Sequence, residues 1–279
     1  MDLYLVQMAI ARGKPELNRA KVQALTAGIK PGGPALIVLP ELFSTGFLDE
    51  SALRTGGPGS RSGAGSPDWT RVAAEDGLFL SSLARSTRCW VAGATVESGP
   101  SGPDGNGGFR NLSLFFSPDG TERSRYRKIH PFSYGGEDRL FAPGNEIVTS
   151  EAEGWVVQST ICYDLRFPEL YRAGSHRGVH LILVQANWPQ ARQAHWETLL
   201  KARAIENQAF VAGVNCTGLQ DALRFAGGSL ILSPKGEVIA SGDDMERLVR
   251  GRADLDQCKQ WRKQFPALRD RRPWEFYGL

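Results

Sequence analysis

Three residues with reactive side chains stand at the ends of short apolar runs, each beside a turn. Glu41 follows Leu36-Ile-Val-Leu-Pro40. A carboxylate there is partly desolvated, which suits it to proton transfer, although it serves equally well as a cap for the next turn. Lys128 lies in Arg125-Tyr-Arg-Lys-Ile-His-Pro131 and, taken alone, reads as an ordinary solvated lysine. Cys162 ends Val156-Val-Gln-Ser-Thr-Ile161 and precedes Tyr163-Asp-Leu-Arg-Phe-Pro-Glu169. A thiol at the first turn of a helix and beside a cation has a lowered pKa and is a competent nucleophile, whereas a lone cysteine is more often buried and inert. Cys89 and Cys216 sit inside apolar runs and Cys258 in a polar tail, so all three read as inert. No two cysteines form a Cys-x-x-Cys pair, and neither a disulfide framework nor a zinc site is indicated.

Elements of two kinds must hold these residues. Ala35 to Leu39, Trp90 to Val96, Trp155 to Ile161, Val179 to Val184 and Phe210 to Val214 are brief and rich in Val, Ile and Leu, which predicts strands buried on both faces. Met1 to Ile10 reads as a buried first strand. Glu16 to Ile29 has helical spacing, with Leu17, Ala20, Ala24 and Leu25 on one side, and Trp196 to Ile205 groups Trp196, Leu199 and Leu200. Alternation of this kind predicts layered strands and helices. Thr55 to Pro67 and Ser98 to Gly108 have the composition of exposed loops. There is also an internal echo. Cys89-Trp-Val-Ala-Gly-Ala94 resembles Ala209-Phe-Val-Ala-Gly-Val214, and each is followed by a strand ending in Ser-Pro-Asp-Gly120 or Ser-Pro-Lys-Gly236. Either this is coincidence, or each half supplies one of two facing sheets.

The chain has 279 residues, 41% hydrophobic and 23% charged, which predicts a single globular domain over residues 1–279, with a two-domain chain as the alternative. The net charge of +3 comes from interspersed residues and predicts no nucleic-acid partner. The tail Arg262 to Arg272 reads as a solvated or subunit-packing segment. No run reaches the roughly eighteen apolar residues that span a bilayer, so no membrane partner is expected. The first residues lack the basic region and cleavage site of a secretory signal, which makes the cytoplasm the default location.

Taken together and in order, Pro-Glu41-Leu-Phe, Tyr-Arg-Lys128-Ile-His and Ile-Cys162-Tyr-Asp-Leu-Arg-Phe-Pro-Glu resemble the nitrilase, or carbon–nitrogen hydrolase, superfamily. The resemblance runs over nearly the whole chain and implies a four-layer α-β-β-α sandwich. It implies a Glu41–Lys128–Cys162 triad that needs neither metal nor organic cofactor. A second family glutamate maps onto Glu137, in Tyr134-Gly-Gly-Glu-Asp-Arg-Leu-Phe-Ala-Pro-Gly144, where it positions substrate and Lys128. In the implied chemistry Glu41 takes the proton of Cys162, the thiolate attacks the carbonyl, and Lys128 with the backbone N–H of Tyr163 receives the oxyanion.

Cys162 is followed by Tyr-Asp, whereas nitrile hydrolases resemble Cys-Trp-Glu, so amides are expected rather than nitriles. Val184-Gln-Ala-Asn-Trp-Pro189 and His195-Trp-Glu-Thr-Leu-Leu-Lys-Ala-Arg-Ala-Ile-Glu-Asn207 resemble the omega-amidase branch, which deamidates 2-oxo acids such as 2-oxoglutaramate. Such a substrate needs a cation for its distal carboxylate. Arg166 either clamps it or pairs with Asp164 or Glu169 to hold the turn. Asn187 and Trp188 are expected to line the pocket, with core packing as the other reading of Trp188. Deaminated-glutathione amidase and N-carbamoyl amino acid hydrolase are the alternative activities, and a non-catalytic binding protein on this scaffold is the alternative of another class. The resemblance also implies a homodimer or larger homo-oligomer, with the segment about 255–279 and the helix after Cys162 as interface elements.

Overall fold

A computed structural model describes residues 1–47, 68–99 and 108–272. Thr55 to Pro67, most of the Ser98 to Gly108 loop and the last seven residues of the tail lie outside the described residues. Two six-stranded sheets carry the fold. The first has the order β14-β1-β2-β3-β4-β5, built from β1 (Asp2–Gln7), β2 (Ala35–Val38), β3 (Trp90–Ser98), β4 (Phe109–Phe116), β5 (Glu122–Arg127) and β14 (Arg247–Arg252). The second has the order β13-β12-β9-β8-β7-β6, built from β6 (Thr149–Ala152), β7 (Trp155–Ile161), β8 (Leu181–Ala186), β9 (Phe210–Asn215), β12 (Leu230–Leu232) and β13 (Val238–Ser241). A hairpin of β10 (Thr217–Gln220) and β11 (Leu223–Ala226) stands apart.

The internal echo is a repeat of topology. In the first sheet β1, β2 and β3 run parallel, and β4 and then β5 each pair antiparallel to the strand before. In the second, β7, β8 and β9 run parallel, and β12 and then β13 each pair antiparallel to the strand before. The strands paired by the echo, β3 with β9 and β4 with β12, hold equivalent places. Both Ser-Pro-x-Gly turns close as expected, with Gly120 N–H donating to Ser117 O and Gly236 N–H to Ser233 O.

The inner faces meet in one apolar layer, where Leu3, Leu5, Leu36 and Val38 pack against Leu181, Leu183, Phe210 and Val214. The outer face of the first sheet is covered by α1 (Pro15–Thr26) and α2 (Trp69–Thr87), through Val22, Leu80 and Leu83. The outer face of the second is covered by α3 (Pro168–His176) and α4 (Gln193–Asn207), through Leu170, Trp196 and Leu200. This is the expected four-layer α-β-β-α sandwich. One expectation fails: α1 buries Asn18, Val22 and Thr26, while Leu17 is exposed. Asn18 turns inward because its amide donates to Ala11 O and Ser44 O and its Oδ1 accepts from Ala11 N–H, so three hydrogen bonds offset its burial.

No helix among the described residues is long and apolar enough to cross a membrane. The segment from Leu255 packs at the edge of the layer between the sheets and against the residues that lead into β8 and β9. Within it α5 (Leu255–Gln264) buries Cys258, and Arg262 donates to the carbonyls of Gln208 and Val179.

His180, between α3 and β8, couples this fold to pH. Its Nδ1 accepts from Val156 N–H at 3.1 Å, so the ring must be neutral. Burial, with Arg262 and Lys259 nearby, holds its pKa at about 4 against an ordinary 6.5. A depressed histidine pKa contributes stability above the unfolded value, and this is lost as pH falls from 6.5 toward 4. His180→Gln is therefore expected to flatten the decline of Tm across that window, by the equivalent of about 1–2 kcal/mol once partial exposure is discounted.

Candidate active site

The site gathers at the carboxyl ends of the parallel strands. Glu41 follows β2 in a turn held to β3, with Leu39 N–H donating to Ala92 O at 2.8 Å and Phe43 N–H to Ala94 O at 3.1 Å. Lys128 follows β5, where its N–H donates to Asn111 O and its carbonyl accepts from Gly144 N–H. A Cβ on Gly144 would lie 2.2 Å from Arg127 O, so only glycine allows that approach. Cys162 opens a short 3-10 turn, Cys162–Arg166, and is itself left-handed at φ +44°. For a non-glycine residue this is a strained elbow, held because its surroundings over-determine it.

Buried Asp164 supplies that restraint. It accepts from Ile161 N–H at 2.9 Å, Tyr126 Oη at 2.7 Å and both the N–H and Nδ1 of His130 at 3.1 and 2.8 Å. Tyr126 and His130 flank Lys128, so Asp164 ties the thiol's elbow to the lysine's strand. His130 stacks on Phe167 at 3.8 Å and is held by Asp164.

Lys128, Glu41 and Glu137 form one buried cluster, each 2% exposed or less. Lys128 Nζ donates to Glu41 Oε1 at 2.8 Å and to Glu137 Oε1 and Oε2 at 2.9 and 2.7 Å. Asn187 N–H donates to Glu41 Oε2 at 2.9 Å, and Phe132 N–H to Glu137 Oε2 at 2.6 Å. Burial works against the Lys128 ammonium, but Glu137 and Glu41 outweigh it and hold its pKa above the usual lysine range. Lys128 is therefore a fixed positive charge, the opposite of the solvated lysine that local sequence suggests.

Cys162 shares the cavity floor with Glu41, and its Sγ is 3.9 Å from Asn187 O. Its environment differs from the sequence expectation of a lowered pKa. Burial and the charge of Glu41 push the thiol well above its ordinary range, and the opposing pull of Lys128 does not compensate. The resting group is thus a neutral thiol beside a carboxylate, so proton transfer must accompany attack.

A cavity of about 270 Å³ opens above the thiol, with Glu41, Lys128, Glu137 and Cys162 at its floor. All four expected substrate-binding residues line it: Tyr163, Arg166, Asn187 and Trp188. Arg166 pairs with neither Asp164 nor Glu169. Its guanidinium lies over the rings of Trp188 at 4.7 Å and Tyr163 at 5.9 Å, with His195 Nδ1 at 3.4 Å. Trp188 combines both of its readings. It is buried against Trp196 at 5.6 Å and presents a face to the cavity. Asn187 Nδ2 donates to Glu41 O at 3.0 Å, and its Oδ1 has no partner among the described residues.

Two residues absent from the sequence reading belong here. Asn111 in β4 donates one Nδ2 to both Glu41 Oε1 and Glu137 Oε1, at 2.8 and 3.0 Å, bridging two like charges. Arg192 lines the cavity with its guanidinium 5.5 Å from the Phe132 ring centre. Asn111 gives no sequence signal, and Arg192 is an isolated cation in a short connection.

A family profile for carbon-nitrogen hydrolases matches residues 4–263. The chain belongs to the carbon-nitrogen hydrolase family. Among curated proteins, this carbon-nitrogen hydrolase is 37% identical to a 2-oxoglutaramate amidase of Paenarthrobacter nicotinovorans over 91% of this chain and 83% of that protein. It is 33% identical to the 2-oxoglutaramate amidase of Bacillus subtilis (strain 168), over 95% of both chains. Among solved structures, a CN-hydrolase superfamily protein from Xanthomonas campestris superposes with a TM-score of 0.83 at 30% identity, covering 98% of this chain and 97% of that one.

Proposed function

We propose that this carbon-nitrogen hydrolase is an omega-amidase that releases ammonia from the terminal amide of a short 2-oxo acid, with 2-oxoglutaramate as the substrate. One observation carries the reading. Arg166 faces the cavity without a carboxylate partner among the described residues, across from a thiol, a base and a fixed ammonium. The names of the two amidase relatives, at 33–37% identity, support it.

In this mechanism the amide carbon sits over Cys162 Sγ. Glu41 takes the thiol proton as the S–C bond forms, and the carbonyl electron pair moves onto oxygen. Lys128 Nζ and the N–H of Tyr163, in the first turn after Cys162 where backbone donors have no intrahelical acceptor, receive that charge. The oxyanion collapses, the C–N bond breaks, and Glu41 returns the proton to the departing ammonia. Water then yields a proton to Glu41 and attacks the thioester. Cys162 leaves as thiolate and regains its proton, giving the carboxylic acid. Glu137 holds Lys128 in place through both of its carboxylate oxygens. Asn187 Oδ1 is suited to accept an N–H of the substrate amide. The proposal extends to a homodimer or larger homo-oligomer working in the cytoplasm, where its four cysteines stay reduced.

Ammonia release from a panel of amides tests the reading. Turnover of 2-oxoglutaramate well above deaminated glutathione and N-carbamoyl amino acids is expected. Turnover of an N-carbamoyl compound with none of 2-oxoglutaramate would replace it.

A further inference from the structure

The charges lining the cavity are unevenly distributed. At its floor, Glu41 and Glu137 are both engaged by Lys128. Further out stand two guanidiniums, Arg166 and Arg192, and neither meets a carboxylate among the described residues. They are built into one wall. Arg166 lies over Tyr163 and Arg192 over Phe132, and these two rings touch at 4.9 Å. Trp188 joins them from behind, with its ring under Arg166 and its Nε1 donating to Arg192 O at 2.8 Å. Both arginines are half-buried, so each has lost part of its hydration with no anion in exchange.

Resting on the proposed function, we infer that Arg192 is a specificity-determining residue, which with Arg166 forms a two-armed cradle that selects 2-oxo acid amides over the corresponding 2-amino acid amides. Planar guanidiniums present several donors in fixed directions. A 2-oxo acid offers two carboxylate oxygens and an adjacent carbonyl oxygen, all acceptors, and so can occupy both arms. A 2-amino acid places an ammonium where that carbonyl would be. The ammonium meets two like charges, and among the described residues the only carboxylates lining the cavity are already committed to Lys128. Discrimination by this element is repulsive as well as attractive.

The test compares kcat/KM for 2-oxoglutaramate and for glutamine in wild type, Arg192→Met, Arg192→Lys and Arg192→Glu. The wild-type ratio is expected to favour the 2-oxo amide by on the order of 10²-fold or more. Arg192→Met should shrink that ratio about tenfold or more, mostly through a higher KM for the 2-oxo amide. Arg192→Glu should shrink it further, and Arg192→Lys, which keeps the charge, should restore part of it. Thermal unfolding of each variant checks that the fold is intact, and the lysine variant guards against misfolding of the other two. A ratio independent of residue 192 in folded variants overturns the assignment alone. Absence of wild-type turnover of any 2-oxo amide overturns the proposed function and this assignment with it.

Discussion

Cys162→Ala is expected to lower ammonia release by about 10⁴- to 10⁶-fold while leaving the protein folded. The loss is large because the other groups have nothing to act through. Glu41 has no thiol proton to take, and no other cysteine can substitute. Cys89, Cys216 and Cys258 are buried in the packing, and none of them lines the cavity. The fold should survive because Asp164, not Sγ, fixes the elbow through Ile161, Tyr126 and His130. Alanine also keeps a Cβ at the left-handed position, so no new backbone strain is added. Steady-state ammonia release together with a thermal unfolding curve checks both halves. Residual activity within tenfold of wild type would remove Cys162 from the mechanism.

Lys128→Met is expected to damage activity and stability together. The Lys128 ammonium is bonded to both buried carboxylates of the cluster, Glu41 and Glu137. Removing it leaves both at 1% exposure, bridged only by Asn111. Breaking a buried ion pair from one side costs about 3–5 kcal/mol, a large part of the 5–15 kcal/mol typical of a whole domain. Catalysis should fall by at least about 10²- to 10³-fold from loss of the oxyanion donor alone. Adding Glu137→Gln to Lys128→Met should return part of the stability and none of the activity, since it removes one uncompensated charge without replacing the donor. Denaturant unfolding of the two single variants and the double variant measures that coupling. Simple additivity would show that the three side chains do not act as one charged unit.

Much of this site was legible in the sequence because Glu41 and Cys162 each follow a strand that announces itself. Val, Ile and Leu runs that are buried on both faces mark β2 and β7, and Glu41 and Cys162 follow at their carboxyl ends. The echo between residues 89–120 and 209–236 marked two equivalent sheets, because the same parallel-then-antiparallel path demands the same run and turn.

Other features were hidden for physical reasons. The longest helix, α2, buries Asp76 in the middle of its apolar stripe, where the carboxylate meets Ser44, Thr95 and Arg19. A polar residue paired by partners far away in sequence breaks the periodic signal. Asn111 is one polar position in an otherwise buried strand, and only the convergence of Glu41 and Glu137 on its amide gives it a role. The direction of the Cys162 pKa depends on the sum of burial, Glu41 and Lys128. A motif that supplies the cation but not the burial predicts the wrong sign. Arg192 gains meaning only when Phe132 and Trp188, from separate segments, hold it beside Arg166.

The central claim is that the amide passes through a thioester on Cys162. Mass spectrometry of wild-type enzyme, quenched in acid during turnover of 2-oxoglutaramate, tests it most directly. The account predicts one added acyl group, equal in mass to the substrate less ammonia, mapped to the peptide containing Cys162 and absent from Cys162→Ala. Ammonia release with the adduct on another residue, or undiminished release by Cys162→Ala, would contradict it.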